Sequence, residues 1–367
     1  MLRSRGEEVH DYALDNAEIK SGNLITVGLR SVWNTKEADR VKDLIRSTKP
    51  DLMKVDNFFP LLSPSIFDAA KSMGVSTVLS VRNYRLICPS ANLFRDGHIC
   101  TTCVGSKVAL AAIQHRCYRQ SYLQSAAVVA SNAYAHLRGI WTNSVDRYIA
   151  VSSFVKQQLV EGGFPEQRIF VKPNFISDSG VGDGSGGYGL YVGRLTEEKG
   201  VRLLLDAWTD VPSSASLKII GDGPLESVVR QASEADPRIE YLGRKSLTEV
   251  CDYLGKAAFL IFPSQWYEPF GRTIVEAYSK GTPVIAALTP PMKAMVDDGV
   301  TGLLYNPSDS KDLAATISIL MADKERLNLM RVQSRAKYLA AYTEDQNYRQ
   351  LMDIFQQCIH THHAQPA

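Results

Sequence analysis

Two glutamates stand eight positions apart in Phe262-Pro263-Ser264-Gln265-Trp266-Tyr267-Glu268-Pro269-Phe270-Gly271-Arg272-Thr273-Ile274-Val275-Glu276-Ala277. Gly271 is placed to open a helix, so the amides of Arg272, Thr273 and Ile274 are expected to point outward from its first turn. Unpaired donors and the positive end of the helix dipole make such a terminus an anion site. The carboxylates of Glu268 and Glu276 would flank it, each able to accept hydroxyls from a polyol. A phosphate held between two hydroxyl-binding acids is the outline of a nucleotide sugar.

A second loop, Val192-Gly193-Arg194-Leu195-Thr196-Glu197-Glu198-Lys199-Gly200, supplies cations. Gly193 lets the backbone turn close to a ligand, Arg194 offers a planar fork, and Lys199 a compact charge. Their natural guest is a pyrophosphate. A third loop, Ile220-Gly221-Asp222-Gly223-Pro224, reads as a tight strand-to-helix turn, either beside the ligand or serving as a turn alone.

These loops need strands to carry them. The second half alternates short apolar runs with helical segments, the pattern of a parallel α/β sheet. Strands are expected at Gly189–Val192, Leu217–Ile220, Ile239–Leu242, Ala258–Pro263, Pro283–Ala286 and Gly302–Tyr305, with helices beginning near Gly200, Pro224, Leu247, Gly271 and Pro291. That is a full doubly wound domain, 188–338, whose ligands would sit beyond the carboxyl ends of the strands. A final helix near Glu344–Ile359, within a segment 339–367, is expected to pack back on the first domain.

The first half, 1–176, shows the same alternation. Strands are expected at Glu8–Tyr12, Asp51–Val55, Val75–Val81, Arg147–Val151 and Ile169–Lys172, and helices at Thr35–Ser47, Ser65–Met73 and Phe154–Gly162. Val108–Trp141 reads as one long helical region. Gly, Ser and Asp fill nearly all of 177–187, which reads as a flexible linker.

The 367 residues suffice for two such domains. A net charge of +2 argues against binding nucleic acid by bulk electrostatics. No run reaches the ~20 apolar residues of a membrane span, and Met1–Glu8 lacks a signal-peptide core. A cytoplasmic protein is expected, whose six cysteines serve as thiols or metal ligands.

EPFGRTIVEA, with VGRLTEEKG upstream, resembles the retaining glycosyltransferases of family GT4 (group 1), which have the GT-B fold of two Rossmann-like domains facing a cleft. The resemblance implies a metal-independent transfer from a nucleotide-diphosphate sugar. Arg194 and Lys199 would hold the diphosphate, Glu268 the transferred sugar, and Phe270-Gly271 would lie beside it. The amides of Arg272 to Ile274 would meet phosphate, Glu276 the ribose, and Arg244 would border the base.

Leu79-Ser80-Val81-Arg82-Asn83-Tyr84-Arg85-Leu86-Ile87-Cys88-Pro89 resembles the acceptor side of a polysaccharide-assembly subfamily, implying a glycan or lipid-linked glycan acceptor. Relatives are expected to carry histidine where this chain has Arg82, which cannot act as a base but can stabilise phosphate charge. Such a domain is also expected to begin with a strand, a Gly-rich loop and a helix before Leu2–Tyr12, so either the true start is expected to lie upstream of Met1 or the chain is expected to be a truncated product. Both departures keep a second reading open, a catalytically impaired relative that only binds nucleotide sugar or a partner. A third is a sugar-nucleotide epimerase.

Two features stand outside these motifs. Cys88, Cys100, Cys103 and Cys117, spaced C-x11-C-x2-C-x13-C within an insert at 88–117, could hold a structural zinc or remain four separate thiols. Lys107, His115, Arg116, Arg119 and Arg138 beside Ala, Tyr and Leu could give a basic face for the inner surface of a membrane, or a solvated face of a core helix.

Overall fold

Runs of β-branched and aromatic residues become strands here where both faces are covered. The computed structural model describes residues 1–15 and 24–363. They divide into two compact units: Met1–Arg95, Cys100–Lys172 and Tyr348–Ala367, and Asp96–Ile99 with Pro173–Asn347.

In chain order up to Val171 the elements are α1 (Leu24–Val32), α2 (Thr35–Thr48), β1 (Leu52–Val55), α3 (Ser65–Ser72), β2 (Ser76–Val81), the two-residue strands β3 (Phe94–Arg95) and β4 (His98–Ile99), α4 (Leu110–Gln114), α5 (Tyr122–Leu137), β5 (Arg147–Ala150), α6 (Ser153–Glu161) and β6 (Ile169–Val171), all of the first unit except β4, which falls in the segment Asp96–Ile99. A parallel sheet runs in the order β1-β2-β5-β6. β2 is buried at every position, as a strand covered on both faces must be. Local chemistry starts the helices: Asn34 accepts from the Glu37 amide and Ser152 from the Val155 amide. In the C-terminal helix, Glu344–His363, residues Leu351, Ile354, Phe355 and Cys358 form one stripe that clusters with Val78 and Ile149.

Two expectations for this unit are corrected. Glu8–Tyr12 is not a strand, since its polar groups bond side chains instead of a ladder. Arg3 reaches Val9 O and Asp11, and Tyr12 bonds Glu37. Val108–Trp141 is not one helix, because Arg116, Arg119 and Gln120 take left-handed backbone and break it between α4 and α5.

The second unit contains β7 (Gly189–Val192), α7 (Val201–Trp208), β8 (Leu217–Ile220), α8 (Glu226–Ala235), β9 (Ile239–Gly243), α9 (Leu247–Lys256), β10 (Phe259–Phe262), α10 (Arg272–Ser279), β11 (Val284–Ala287), α11 (Pro290–Met295), β12 (Gly302–Tyr305), α12 (Ser310–Ala322) and α13 (Lys324–Ala341). Its parallel sheet runs β12-β11-β10-β7-β8-β9, a doubly wound order that reverses between β7 and β10. Alternate residues feed two cores. Tyr191, Ile219, Phe259 and Ile285 join one; Leu190, Ile220, Leu260 and Ala286 join the other.

The segment 177–187 is not a free linker but is tied to the second unit. Gly182, Gly184 and Gly186 donate amides to Lys280 O, Gly255 O and Lys256 O, and Arg335 pairs with Asp178 at 2.6 Å. The glycines permit this close approach: a Cβ at Gly182 would overlap the Gly255 backbone. Among the described residues, no helix is long and apolar enough to cross a membrane.

Candidate functional site

The reversal between β7 and β10 sets the loops that follow them side by side. The Gln265 amide donates to Glu198 O at 2.8 Å. Gly200 holds φ +73° where the two loops cross, and a Cβ there would overlap Pro263 O.

At this crossing lies Glu268, only 4% exposed. Its Oε1 accepts from Lys199 Nζ, from Ser264 Oγ at 2.8 Å and from Trp266 Nε1 at 2.8 Å. Its Oε2 has no hydrogen-bond partner among the described residues. Lys199 Nζ also lies 5.3 Å from the centre of the Trp266 ring. Tyr191 supports the β7 loop, its hydroxyl donating to Arg194 O at 2.8 Å. Burial pushes that phenol well above its ordinary value, and the charges of Glu268 and Glu198 add to the effect. The Arg194 side chain is exposed, 3.4 Å from Glu198.

Helix α10 departs from expectation at its start. The Arg272 amide donates to Phe270 O at 2.9 Å and the Ile274 amide to Gly271 O at 3.0 Å. Gly271 itself donates to Met295 Sδ at 3.3 Å. A tight first turn therefore consumes two of the three expected anion donors. The Thr273 amide alone lacks a backbone partner among the described residues. Glu276, one turn on, is 5% exposed and accepts from Arg272 Nε at 2.9 Å. Burial raises its carboxyl above the ordinary value, against the lowering effect of Arg272. Phe270 packs edge-on against Tyr342, with centroids 6.4 Å apart.

The glycine turn at 221–223 is explained by packing. A Cβ at Gly221 would overlap Gly193 O, and one at Gly223 would press on the Leu195 backbone. Gly193 donates its amide to Ile220 O at 3.1 Å. Arg244 stands apart from the Lys199–Glu268 cluster, highly exposed after β9 and 3.6 Å from Asp222.

In the first unit, Arg82 follows β2 and pairs with Asp56 at 3.1 Å; Lys54 bonds the same carboxylate. Burial works against the Asp56 charge, yet Lys54 and Arg82 hold its carboxyl below the ordinary value. Lys172, after β6, is pushed down to about 8, first by burial and then by Lys54 and Arg82. Cys88, Cys100, Cys103 and Cys117 line one cavity. Burial, with the neighbouring thiols adding, pushes Cys103 up to about 11.

Residue types alone did not single out Ser264, Trp266, Tyr191 or Lys172. The first two lie within the quoted loop, and a polar and an aromatic side chain just before a buried acid were the available signal.

Two Rossmann-like units, the second with its switch point lined by Lys199 and Glu268, define the GT-B glycosyltransferase fold. Residues 187–323, within the second unit, match the family described as glycosyl transferases group 1. The chain is 33% identical over 186 residues to an uncharacterized glycosyltransferase of Methanocaldococcus jannaschii, covering 50% of this chain and 52% of that one. It is 26% identical to an uncharacterized protein in the cps region of Klebsiella pneumoniae, covering 70% and 62%. The chain thus spans between half and two thirds of these relatives' length. The crystal structure of Anabaena Alr3699/HepE in complex with UDP superposes with a TM-score of 0.68 at 18% identity, covering 87% of this chain and 82% of that one.

Proposed function

We propose that this chain transfers a sugar, with retention, from a nucleotide-diphosphate sugar to a glycan or lipid-linked glycan in cell-surface polysaccharide assembly. The observation that carries the proposal is the meeting of Lys199 and Glu268 at the switch point of a doubly wound sheet. Three donors on Oε1 fix the Glu268 carboxylate in one orientation. Its other oxygen is left for hydroxyls of the transferred sugar.

Donor cleavage puts negative charge on the leaving diphosphate. Lys199, Arg194 and the Thr273 amide are the groups the reading assigns to it, and Glu276 takes the ribose. Each charge-assisted contact contributes about 1.5–3 kcal/mol, and every ~1.4 kcal/mol realised only in the transition state is tenfold in rate. The reading assigns leaving-group stabilisation to these side chains rather than to a metal. Arg82 would act on the acceptor side through its charge, not as a base.

Exposed Leu110, Tyr122 and Leu123, in the stretch that carries Arg116 and Arg119, support contact with an anionic membrane surface carrying the acceptor. The HepE crystal structure is a complex with UDP, which makes UDP-sugars the first donors to try.

The test is incubation with UDP-, GDP- and ADP-sugars and extracted glycolipid, reading diphosphate release and the anomeric configuration of the product. Acceptor-dependent release with retained configuration is expected. Binding without turnover favours the impaired reading, donor conversion without acceptor favours the epimerase, and an inverted product contradicts retention.

A further inference from the structure

Cys88, Cys100, Cys103 and Cys117 come from three separate stretches of the chain, yet they line one cavity of about 20 Å³, enough for a single water-sized occupant. The chain around it has little regular structure, only the two-residue strands β3 and β4 and the five-residue α4. Six of its non-glycine residues hold positive φ: Ala91, Leu93, Asp96, Arg116, Arg119 and Gln120. Such conformations persist only where the surroundings over-determine them. None of the six cysteines forms a disulfide, so no covalent cross-link holds this irregular segment.

The backbone already sets the thiols around the cavity. Cys88 donates its amide to Tyr84 O at 2.8 Å, Cys100 to Leu93 O at 2.8 Å and Cys117 to Ala112 O at 2.9 Å. A turn closed by the Val104 amide on Thr101 O, at 2.9 Å, holds Cys103 near Cys100. Among the described residues, no group of three or more His, Cys, Asp or Glu side chains is already gathered to hold a metal. Two thiols rest on local hydroxyls instead: Cys88 Sγ lies 3.1 Å from Ser90 Oγ and Cys100 Sγ 3.5 Å from Thr102 Oγ1.

We propose that Cys88, Cys100, Cys103 and Cys117 together bind one Zn²⁺ as tetrahedral thiolates, pinning the segment between Cys88 and Cys117. Four S–H protons pass to solvent and four Zn–S bonds form. Arg95, which also lines the cavity, offsets the net negative charge of a four-thiolate centre. Soft thiolates in a closed tetrahedral site select zinc over oxygen-seeking cations.

The full chain, purified without chelator, is analysed for metal. One zinc per chain is expected in the wild type and in Cys251→Ala, and near-zero zinc in Cys103→Ser and Cys117→Ser. A second measurement does not depend on those variants folding. The wild-type chain, exchanged into cobalt(II), is expected to show thiolate-to-cobalt charge transfer with the intense visible bands of a tetrahedral site. Zinc well below one equivalent in the wild type, iron with labile sulfide in its place, undiminished zinc in both serine variants, or cobalt without the thiolate band would each overturn the proposal.

Discussion

Lys199 and Glu268, 69 positions apart, share one ion pair, with their side chains 19% and 5% exposed. Removing either partner leaves the other's charge poorly solvated, which is the costly way to break a buried pair. Lys199→Met and Glu268→Gln are therefore expected to destabilise less in combination than the sum of the single changes. A coupling of about 1–3 kcal/mol is expected in a double-mutant cycle read by urea denaturation. Additive effects would mean that the two side chains do not depend on each other.

The crossing of the two loops makes a separate prediction at Gly200. Alanine there meets both a left-handed φ of +73° and the Pro263 carbonyl. Gly243 holds φ +67° with nothing near its absent side chain, so Gly243→Ala reports the backbone cost alone. Gly243→Ala is expected to cost about 1–2 kcal/mol, and Gly200→Ala about 1–3 kcal/mol more from the clash. Equal losses on denaturation would show that the loops can part without penalty.

Glu276 gives the site a pH dependence. Burial holds its carboxyl above the ordinary value of 4.5, so on acidification it takes up a proton sooner than an exposed glutamate. On the proposed reading, that proton occupies an oxygen that would accept ribose hydroxyls. UDP affinity measured by calorimetry is expected to fall with pH through a midpoint above 4.5. Glu276→Gln is expected to bind more weakly at neutral pH and to lack that component, keeping only the titration of the diphosphate itself. Parallel profiles for the two proteins would remove Glu276 from the site.

Lys172 gives the stability of the fold a pH dependence of its own. Its folded pKa, about 8, lies below the unfolded 10.5, so the unfolded chain binds more protons between those values. Stability from this group is fully present above the unfolded pKa and is lost as pH falls through about 8. At pH 7 the buried charge costs up to about 3 kcal/mol. Lys172→Met is expected to be more stable than wild type at pH 7, with the gap closing by about pH 10.5. A gap unchanged across that range in chemical denaturation would contradict the assignment.

The sheet of the second unit was legible because its strands are short apolar runs buried on both faces. Gly189–Val192, Leu217–Ile220 and Gly302–Tyr305 fall at the expected boundaries, and the other three within a residue or so. The first unit was less legible. Glu8–Tyr12 is short, holds only Val9 and Tyr12 as apolar residues and finds no ladder, and residues 116–120 carry ordinary helix-compatible side chains on a backbone that turns left-handed. At the site, residue types and spacing pointed to Lys199, Glu268 and Glu276 as candidates, and the structure brings the first two together. That Lys199 and Glu268 bond each other was not readable, because no local pattern records which loops a strand-order reversal brings together. Nor could spacing reveal that Met295 Sδ, Phe270 O and Gly271 O would engage amides at the start of α10.

The central claim is that a nucleoside diphosphate sits beyond β7 and β10, against the cations of the loop after β7. Titration calorimetry with UDP, GDP and ADP on the wild type, Arg194→Ala and Lys218→Ala tests it most directly. Lys218 pairs with Glu240 away from that loop and serves as the control. At least one diphosphate should bind, about tenfold more weakly to Arg194→Ala, the loss of ~1.4 kcal/mol that one charge-assisted contact supplies, and unchanged to Lys218→Ala. Binding of no diphosphate, or equal affinity of wild type and Arg194→Ala, would contradict it.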